Sequence, residues 1–291
     1  MAINRKVLDV SKYQPNIDYA ATAKDIHGVI LRCGLTYWGA QNKAADECFE
    51  KHYAGFKAAG VPVGVYYYSA ADSVAQAKLE AQKCLEIIKG KKLEYPVYFD
   101  MECNERHGKL NGAQRYEIAD AFLSTVEAAG YFVGFYSYSA FIQQMGTANF
   151  DKLKKKYSIW LADYRKTPAS YTRDMWQYTS KGGVAGISGN VDLSHCYKDF
   201  PTIIKNAGLN GYGKAAATVT KPVETPAAPV ADTLKVGDTV KVLRAIQYDN
   251  GRSFRTWFAT YTVKQINGNR VVIAKAGITV AAVHKDNLEK V

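Results

Sequence analysis

Two carboxylates stand two residues apart in the segment Tyr98-Phe99-Asp100-Met101-Glu102, at the end of an apolar run. In a β-strand, residues i and i+2 point to the same face, so a strand here would project Asp100 and Glu102 side by side. Cleavage of a glycosidic bond requires such a pair, one group to protonate the leaving oxygen and one to manage charge at the sugar carbon. The same spacing also occurs on solvated strand ends, so the rest of the chain has to support the interpretation.

Eight apolar, β-rich runs recur through the first two hundred residues, and most are apolar nearly throughout, as is typical of buried parallel strands. We predict strands over residues 7–13, 28–34, 63–69, 95–101, 133–139, 158–164, 174–179 and 190–196. Helical patterns cover residues 42–59, 73–88 and 112–129, where apolar residues return to one face. This alternation predicts an α/β fold, a (β/α) barrel. Residues 165–173 and 180–189 are too few for full helices, so the second half should be thinly covered.

In a (β/α) barrel, functional residues gather at the carboxyl ends of the strands. By this rule the first strand delivers Asp9, the fourth Asp100 and Glu102, and the eighth Asp192. The first and eighth strands are neighbours in a closed barrel, so we expect four acids at one mouth, although Asp9 and Asp192 could each cap a local turn instead. Aromatic side chains near the strand ends would surround these acids and suit stacking on sugars. They are Tyr66, Tyr68, Tyr136, Tyr138, Trp160, Tyr164, Trp176 and Tyr178.

The composition limits the partners of the chain. Its 291 residues carry a net charge of +11, which favours an anionic partner such as nucleic acid, a membrane surface or a bacterial wall. No apolar run approaches the length of a membrane span, so we expect no membrane insertion. Residues 1–6 lead into a short apolar strand and not into a signal-peptide core, so we expect synthesis in the cytoplasm without an export signal.

The five cysteines show no Cys-x-x-Cys pair, which is typical of free thiols in a reducing compartment. The five histidines show no ligand spacing with them, so we expect no metal site and no cofactor. Cys103 lies beside the acidic pair but lacks an obvious base partner, and we expect it to be a bystander.

Several segments, each weak alone, together make the chain resemble the glycoside hydrolase family 25 lysozymes, the N-acetylmuramidases found in phage endolysins. In the family's order, they lie at residues 9–14, 30–34, 63–69, 100–102, 176–178 and 191–192. The resemblance covers residues 1 to about 205 and implies an irregular TIM-like barrel that lacks helices in its second half. It also implies bacterial peptidoglycan as the partner, with wall lysis after another factor has opened the membrane.

The resemblance assigns a role to each acid. Glu102 would be the general acid, with a pKa raised by neighbouring carboxylates and partial burial. Asp100 would stabilise the charged intermediate or orient the substrate N-acetyl group. Asp9 and Asp192 would shape the hydrogen bonding and the field of the site. The strand-end aromatic residues and Arg32 would bind substrate.

Four other residues need an explanation. Arg32 lies on a buried strand, where a cation requires a partner, so we expect it to pair with one of the four acids or with a backbone carbonyl. Asp163 is an acid where the resemblance provides no fixed one, and we expect a surface residue, with a subsite contact as the alternative. His107 and His195 are expected to be surface or satisfied residues and not catalytic.

A second unit follows the barrel. We predict a catalytic barrel over residues 1–210, an Ala/Thr/Pro-rich linker over 211–231 and a small all-β domain over 232–291. Its predicted strands cover residues 239–245, 260–266, 270–274, 278–283 and 288–291. This unit carries ten Lys/Arg against five Asp/Glu and loosely resembles the SH3-like wall-binding modules of endolysins. The candidate wall contacts, of which at least half should fill the core instead, are Tyr248, Phe254, Trp257, Phe258 and Tyr261.

Three other functions compete with a peptidoglycan hydrolase. The barrel could bind glycans without cleaving them, although the intact acid set argues against this. The positive charge could indicate a nucleic-acid binder, but no zinc-finger spacing or RNA-binding aromatic signature supports one, and we expect no nucleic-acid partner. Asp100 and Glu102 could also be Mg²⁺ ligands of a metal-dependent hydrolase.

Overall fold

The structure is a computed structural model that describes residues 3–37, 42–213, 234–246, 248, 256 and 258–291. Contacts divide the chain into two units, Met1–Thr218 and Val219–Val291. Each unit has its own hydrophobic core. Most of the predicted linker over 211–231 lies outside the described residues, so its limits stay a prediction.

The first unit alternates strands and helices along most of its length. Its strands are β1 (Arg5–Val10), β2 (Gly28–Thr36), β3 (Lys43–Ala45), β4 (Val63–Tyr68), β5 (Val97–Asp100), β6 (Val133–Tyr138), β7 (Ser158–Ala162), β8 (Met175–Gly182) and β9 (Val191–Cys196). Its helices are α1 (Tyr19–Thr22), α2 (Phe49–Ala58), α3 (Val74–Ile88), α4 (Asn104–His107), α5 (Gly112–Ala128), α6 (Ser139–Met145), α7 (Thr147–Lys156) and α8 (Phe200–Ala207). Helix α3 begins after Ser73, whose hydroxyl accepts a hydrogen bond from Gln76 N, and α5 begins with a capping box between Asn111 and Gln114.

Eight strands close into a barrel in the order β1-β2-β4-β5-β6-β7-β8-β9, because β1 pairs with both β2 and β9. The predicted α/β barrel class is confirmed, and no helix separates β7 from β8 or β8 from β9. The expectation of parallel strands is wrong for β9, which runs antiparallel to both of its neighbours.

The predicted helix over residues 42–59 is too long at its start. Residues Lys43–Ala45 form β3, which pairs antiparallel with the end of β2, and the helix begins only at Phe49. Cross-strand pairing to β2 therefore overrides the helical pattern there. The sequence reasoning did not predict α6, α7 or α8.

The barrel has apolar layers on both sides of its wall. Outside, the helices pack on the strands through one large cluster that includes Phe56, Ala81 and Phe122. Inside, aromatic rings fill the barrel, and two glycines make room for them. A Cβ on Gly64 would lie 2.4 Å from Tyr95 Cβ, and one on Gly134 would lie 2.4 Å from the ring of Tyr98. Both glycines are therefore required by the packing of the interior.

The second unit is all-β, as predicted. Its strands are β10 (Thr239–Val242), β11 (Tyr261–Asn267), β12 (Arg270–Lys275), β13 (Ile278–His284) and β14 (Leu288–Lys290). They form an antiparallel sheet in the order β13-β12-β11-β10-β14, around a core that includes Val240, Tyr261 and Val271. None of the helices in the described parts of the chain is long and apolar enough to cross a membrane.

Candidate active site

Four acids meet at one end of the barrel. Asp9 is near the end of β1, Asp100 ends β5, Glu102 follows it by two residues, and Asp192 is the second residue of β9. All four line a small cavity of about 60 Å³ in the barrel mouth. Four side chains that are far apart in the sequence therefore face a single hollow.

Asp192 lies at the barrel mouth, as predicted, but for a different structural reason. We expected it at the carboxyl end of a parallel strand, and that geometry is wrong. Because β9 runs antiparallel to β1, its first residues lie beside the last residues of β1, and Asp192 pairs directly with Asp9 in the sheet register. The amino end of a reversed strand lies at the same mouth as the carboxyl ends of the others.

Burial and mutual repulsion raise the pKa values of the acids. Burial, followed by repulsion from Asp192, raises the pKa of Glu102 to about 7. Burial raises the pKa of Asp100 well above its usual range, and the charge of Glu102 adds to this. Burial also raises the pKa of Asp9, with a further contribution from Asp192. A carboxyl group with a pKa of about 7 still holds its proton at mildly acidic pH and can donate it.

Gln177 organises the floor of the site, and the sequence reasoning missed it. Its Nε2 donates a hydrogen bond of 3.0 Å to Asp9 Oδ2. Its Oε1 accepts hydrogen bonds from the hydroxyl groups of Tyr136 at 2.9 Å and Tyr164 at 2.8 Å. The amide is 2 % exposed and connects an acid to two aromatic residues of the mouth.

The alternation of β8 explains this position and corrects a prediction. Met175 and Gln177 are buried, whereas the intervening Trp176 and the next residue, Tyr178, are only half-buried. Trp176 packs on Tyr178 and His195, and its indole N–H donates to the carbonyl of Asp163. The expectation that Trp176 lines the substrate bowl is wrong, because successive strand residues face opposite sides. That alternation was the signal that could have identified Gln177.

Arg32 is buried and paired, but not with a partner that we expected. Its Nε donates a hydrogen bond of 2.7 Å to Asp46 Oδ2, and both side chains are almost fully buried. The prediction of a pair with one of the four acids or a backbone carbonyl is therefore wrong. Arg32 Nη2 is buried without a hydrogen-bond partner, and so is Asp100 Oδ1. Both residues line a cavity of about 440 Å³.

Two larger cavities flank Glu102, and most of the predicted aromatic residues line them. The cavity of about 440 Å³, which we call the acid-side cavity, contains all four acids together with Tyr66 and Tyr68. The second cavity, of about 420 Å³, is lined by Glu102 but by none of the other three acids, and we call it the arginine-side cavity. It is lined by Glu102, Tyr136, Tyr138, Ser139, Ala162, Asp163, Tyr164 and Arg165.

Trp160 lies deeper than a sugar-stacking residue would. It is 2 % exposed, borders the small cavity under the acids and donates from its indole N–H to Ser194 Oγ at 3.0 Å. Its ring packs against Tyr66, Tyr98 and Tyr136. Trp160 therefore forms the floor of the site.

Asp163 differs from the surface residue that we expected. It is 5 % exposed, and its carboxylate accepts hydrogen bonds from the Arg165 guanidinium and from Ala169 N. His107 is fully buried, within 3.1 Å of the carbonyl of Ala71, and burial lowers its pKa to about 4. His195 stacks on Tyr178 at 4.3 Å. Neither histidine lines the cavities described above.

Cys103 lies next to the acids but has a weakly reactive environment. It is 3 % exposed, and burial raises the pKa of its thiol. A buried thiol with a raised pKa holds little of the nucleophilic thiolate form. Across the described residues, no three His, Cys, Asp or Glu side chains are arranged to hold a metal ion.

The candidate wall contacts of the second unit divide by burial. Tyr248 is 44 % exposed and stacks on His284, and Phe258 is 49 % exposed. Tyr261 is 1 % exposed in the core, so the prediction that it contacts the wall is wrong. Phe254 and Trp257 lie outside the described residues.

The barrel with its paired acids in an open, aromatic-lined cleft is typical of a glycoside hydrolase. The family model for glycosyl hydrolases family 25 matches residues 8–187. The chain belongs to this family. The match ends before Asp192, whose place in the site is given by the pairing of β9 with β1.

Known relatives agree with this assignment. The chain is 27 % identical over 197 residues to the autolytic lysozyme of Clostridium acetobutylicum, which covers 65 % of this chain and 54 % of the relative. The catalytic domain of endolysin ply40 from bacteriophage P40 of Listeria monocytogenes matches 70 % of this chain and 97 % of its own length, with 26 % identity and a TM-score of 0.58. The modular autolysin LytC from Streptococcus pneumoniae, solved with a synthetic peptidoglycan ligand, matches 67 % of this chain with 26 % identity and a TM-score of 0.57. The chain spans about half the length of the autolytic lysozyme (54 %) and of LytC (47 %).

Proposed function

We propose that the chain is an N-acetylmuramidase that cleaves the β-1,4 bond between N-acetylmuramic acid and N-acetylglucosamine in bacterial peptidoglycan. The observation that carries the proposal is Glu102, whose pKa is raised to about 7 between two adjoining cavities. Membership of family 25 and the similarity to an autolytic lysozyme and to a peptidoglycan-binding autolysin support this substrate.

Glu102 would act as the general acid. A glycan chain that occupies both cavities passes Glu102 at their junction, where its proton can be transferred to the glycosidic oxygen as the bond breaks. The sugar that gains positive charge would then lie in the acid-side cavity, next to Asp100. Burial also raises the pKa of Asp100, so this residue stabilises that charge only when it has lost its own proton, whether the attacking group is an enzyme carboxylate or the substrate's own acetamido oxygen.

Asp9 and Asp192 would set the field around this pair. They are neighbours in the sheet, and the repulsion between them favours a shared proton over two full charges. Gln177 holds Asp9 in place through its amide N–H. This arrangement keeps the negative charge near Glu102 limited, and the charge that is present helps Glu102 to retain its proton.

Reducing-end analysis tests the proposal. Purified protein is incubated with bacterial walls, the products are reduced with borohydride, and the newly reduced sugar is identified. Reduced muramic acid is expected from the wild type, with Glu102→Gln reducing the yield to background. Reduced glucosamine would mean that the other glycosidic bond is cut. Walls bound without any new reducing end would indicate a binding protein, and activity lost in EDTA would indicate a metal-dependent hydrolase.

We also propose that the second unit is an SH3-like wall-binding module, separated from the barrel by a linker over residues 211–231, and that the whole chain serves phage-type wall lysis. The basic character of residues 232–291 and the exposed ring of Tyr248 support the first part. The similarity to a bacteriophage endolysin supports the second. Sedimentation of the full chain with walls, comparing Tyr248→Ala with wild type, tests wall attachment, and equal binding by both would exclude Tyr248 as a contact.

A further inference from the structure

The arginine-side cavity contains a cation that the proposed chemistry does not use. This cation is Arg165, which lines the cavity together with the proposed general acid Glu102. Its Nε donates to Asp163 Oδ1 at 2.8 Å, and its Nη2 donates to Asp163 Oδ2 at 2.5 Å. Two parallel hydrogen bonds of this kind fix the plane of a guanidinium group.

This arginine is held in place and yet open to solvent. The Asp163 side chain is 2 % exposed, whereas that of Arg165 is 62 % exposed. Asp163 is itself held by the backbone N–H groups of Arg165 and Ala169. Arg165 Nη2 also donates to Ser139 Oγ at 3.5 Å, so in the part of the chain that the structure describes the free donors are those of Nη1, which makes no hydrogen bond. The buried acid therefore serves to present a fixed cation with free donors to the cleft.

The position of the two cavities indicates which part of a substrate would reach Arg165. Glu102 borders both, but Asp9, Asp100 and Asp192 border only the acid-side cavity. The sugar whose anomeric carbon becomes positive belongs beside those acids, so the leaving part of the glycan belongs in the arginine-side cavity. For a muramidase, the leaving sugar is N-acetylglucosamine, which carries no acid, and the next sugar is a muramic acid with an acidic substituent.

We propose that Arg165, positioned by Asp163, binds a carboxylate on the muramic acid that follows the leaving sugar. The inference rests on the proposed function and extends it to a specificity-determining contact. A guanidinium group with free N–H donors matches the geometry of a carboxylate. The carboxylate could belong to the stem peptide or, where the peptide has been removed, to the lactyl group.

Three soluble glycan substrates distinguish a carboxylate of the stem peptide from the lactyl carboxylate. The first keeps its peptides, so its lactyl group is blocked as an amide and its carboxylates lie on the peptide. The second has been treated with an amidase, which removes the peptide and frees the lactyl carboxylate. The third is made from the peptide-bearing glycan by converting its carboxylates to neutral methylamides. Initial rates of reducing-end release give kcat and KM for wild type, Arg165→Ala and the control Lys166→Ala, which removes an exposed cation next in sequence.

We expect Arg165→Ala to raise KM on the peptide-bearing substrate about fivefold, the change typical of losing one solvent-exposed charge pair, with little change in kcat. On the neutralised substrate, Arg165→Ala and wild type should have the same KM. Lys166→Ala should behave as wild type throughout. A raised KM on the amidase-treated glycan would assign the contact to the lactyl carboxylate, and an unchanged one would assign it to the peptide.

Equal losses on charged and neutralised substrates would overturn the proposal, because they would show a structural role for Arg165. Unchanged KM on every charged substrate would also overturn it. If Arg165→Ala unfolds at a lower temperature than wild type, the same KM comparison is made with Arg165→Gln, which keeps much of the side chain. A wild-type protein that releases no reducing ends from any of the three substrates would instead reject the proposed function.

Discussion

Glu102, the proposed general acid, should reduce the stability of the fold in a pH-dependent way. Burial and the nearby Asp192 raise the pKa of Glu102 from 4.5 to about 7. The unfolded chain ionises this carboxyl near its ordinary value, so between these pH values the folded state retains a proton that the unfolded state has lost. At about 1.4 kcal/mol per pH unit, the folded state loses about 3 kcal/mol of stability between pH ~4 and pH ~8.

Glu102→Gln removes the ionisable group and keeps the size of the side chain. At about pH 4, where the carboxyl is protonated in both states, the variant should unfold with nearly the wild-type free energy. At about pH 8 it should be more stable than wild type by about 3 kcal/mol. Reversible urea unfolding followed by tryptophan fluorescence at a series of pH values measures this difference. The exposed Glu117 provides the control, since Glu117→Gln should show no such trend.

A stability gain that stays constant with pH, or one that increases towards acid, would refute this reasoning. The first result would mean that Glu102 ionises as readily in the folded chain as in the unfolded chain, and the second that it ionises more readily in the folded chain. The same variant should lose its activity on walls, so a single substitution would separate what the carboxyl contributes to catalysis from what it costs in stability.

Four further predictions follow from the site and the second unit. Activity should fall as the pH rises above about 7, because Glu102 then loses the proton it donates; a pH–rate profile that stays flat to about pH 9 would contradict this. Gln177→Ala should lower kcat ~100-fold and destabilise the barrel by about 2 kcal/mol, because it leaves buried hydrogen-bonding groups of the floor without their partner; steady-state kinetics and urea unfolding check both parts. Asp46→Ala should destabilise the barrel by about 3 kcal/mol in urea unfolding, because it leaves Arg32 buried without its partner. Tyr261→Ala should cost the second unit about 3 kcal/mol, and a loss of wall binding without a loss of stability would contradict its place in the core.

Much of the barrel could be predicted from the sequence, because its strands are continuous apolar runs separated by amphipathic helices. The direction of β9 was missed although the sequence contained a signal for it. A parallel crossover needs a dozen or more residues, and only residues 183–190 connect β8 to β9. The short connection was interpreted as thin coverage of the barrel, when it also required the chain to turn back.

The site was predictable only in part, for two physical reasons. Acids at strand ends follow from the fold, so Asp9, Asp100 and Asp192 could be expected near one mouth. The side of a strand on which a residue lies depends on register, and the prediction for Trp176 failed on that point. The pair of Arg32 with Asp46 depends on the antiparallel pairing of β2 with β3, in a stretch that the sequence pattern had assigned to a helix.

The packed floor beneath the acids limits how Glu102 would regain a proton after each proposed cleavage. Trp160 and the rings around it close the barrel from below, so in the described part of the chain protons and water reach Glu102 from the cleft side. Products leave by that same opening. In the proposed two-step reaction, Glu102 regains its proton from the water that hydrolyses the intermediate, and that water can enter only after the leaving part of the glycan has moved out of the cleft, so departure of that part would limit how soon the acid is restored.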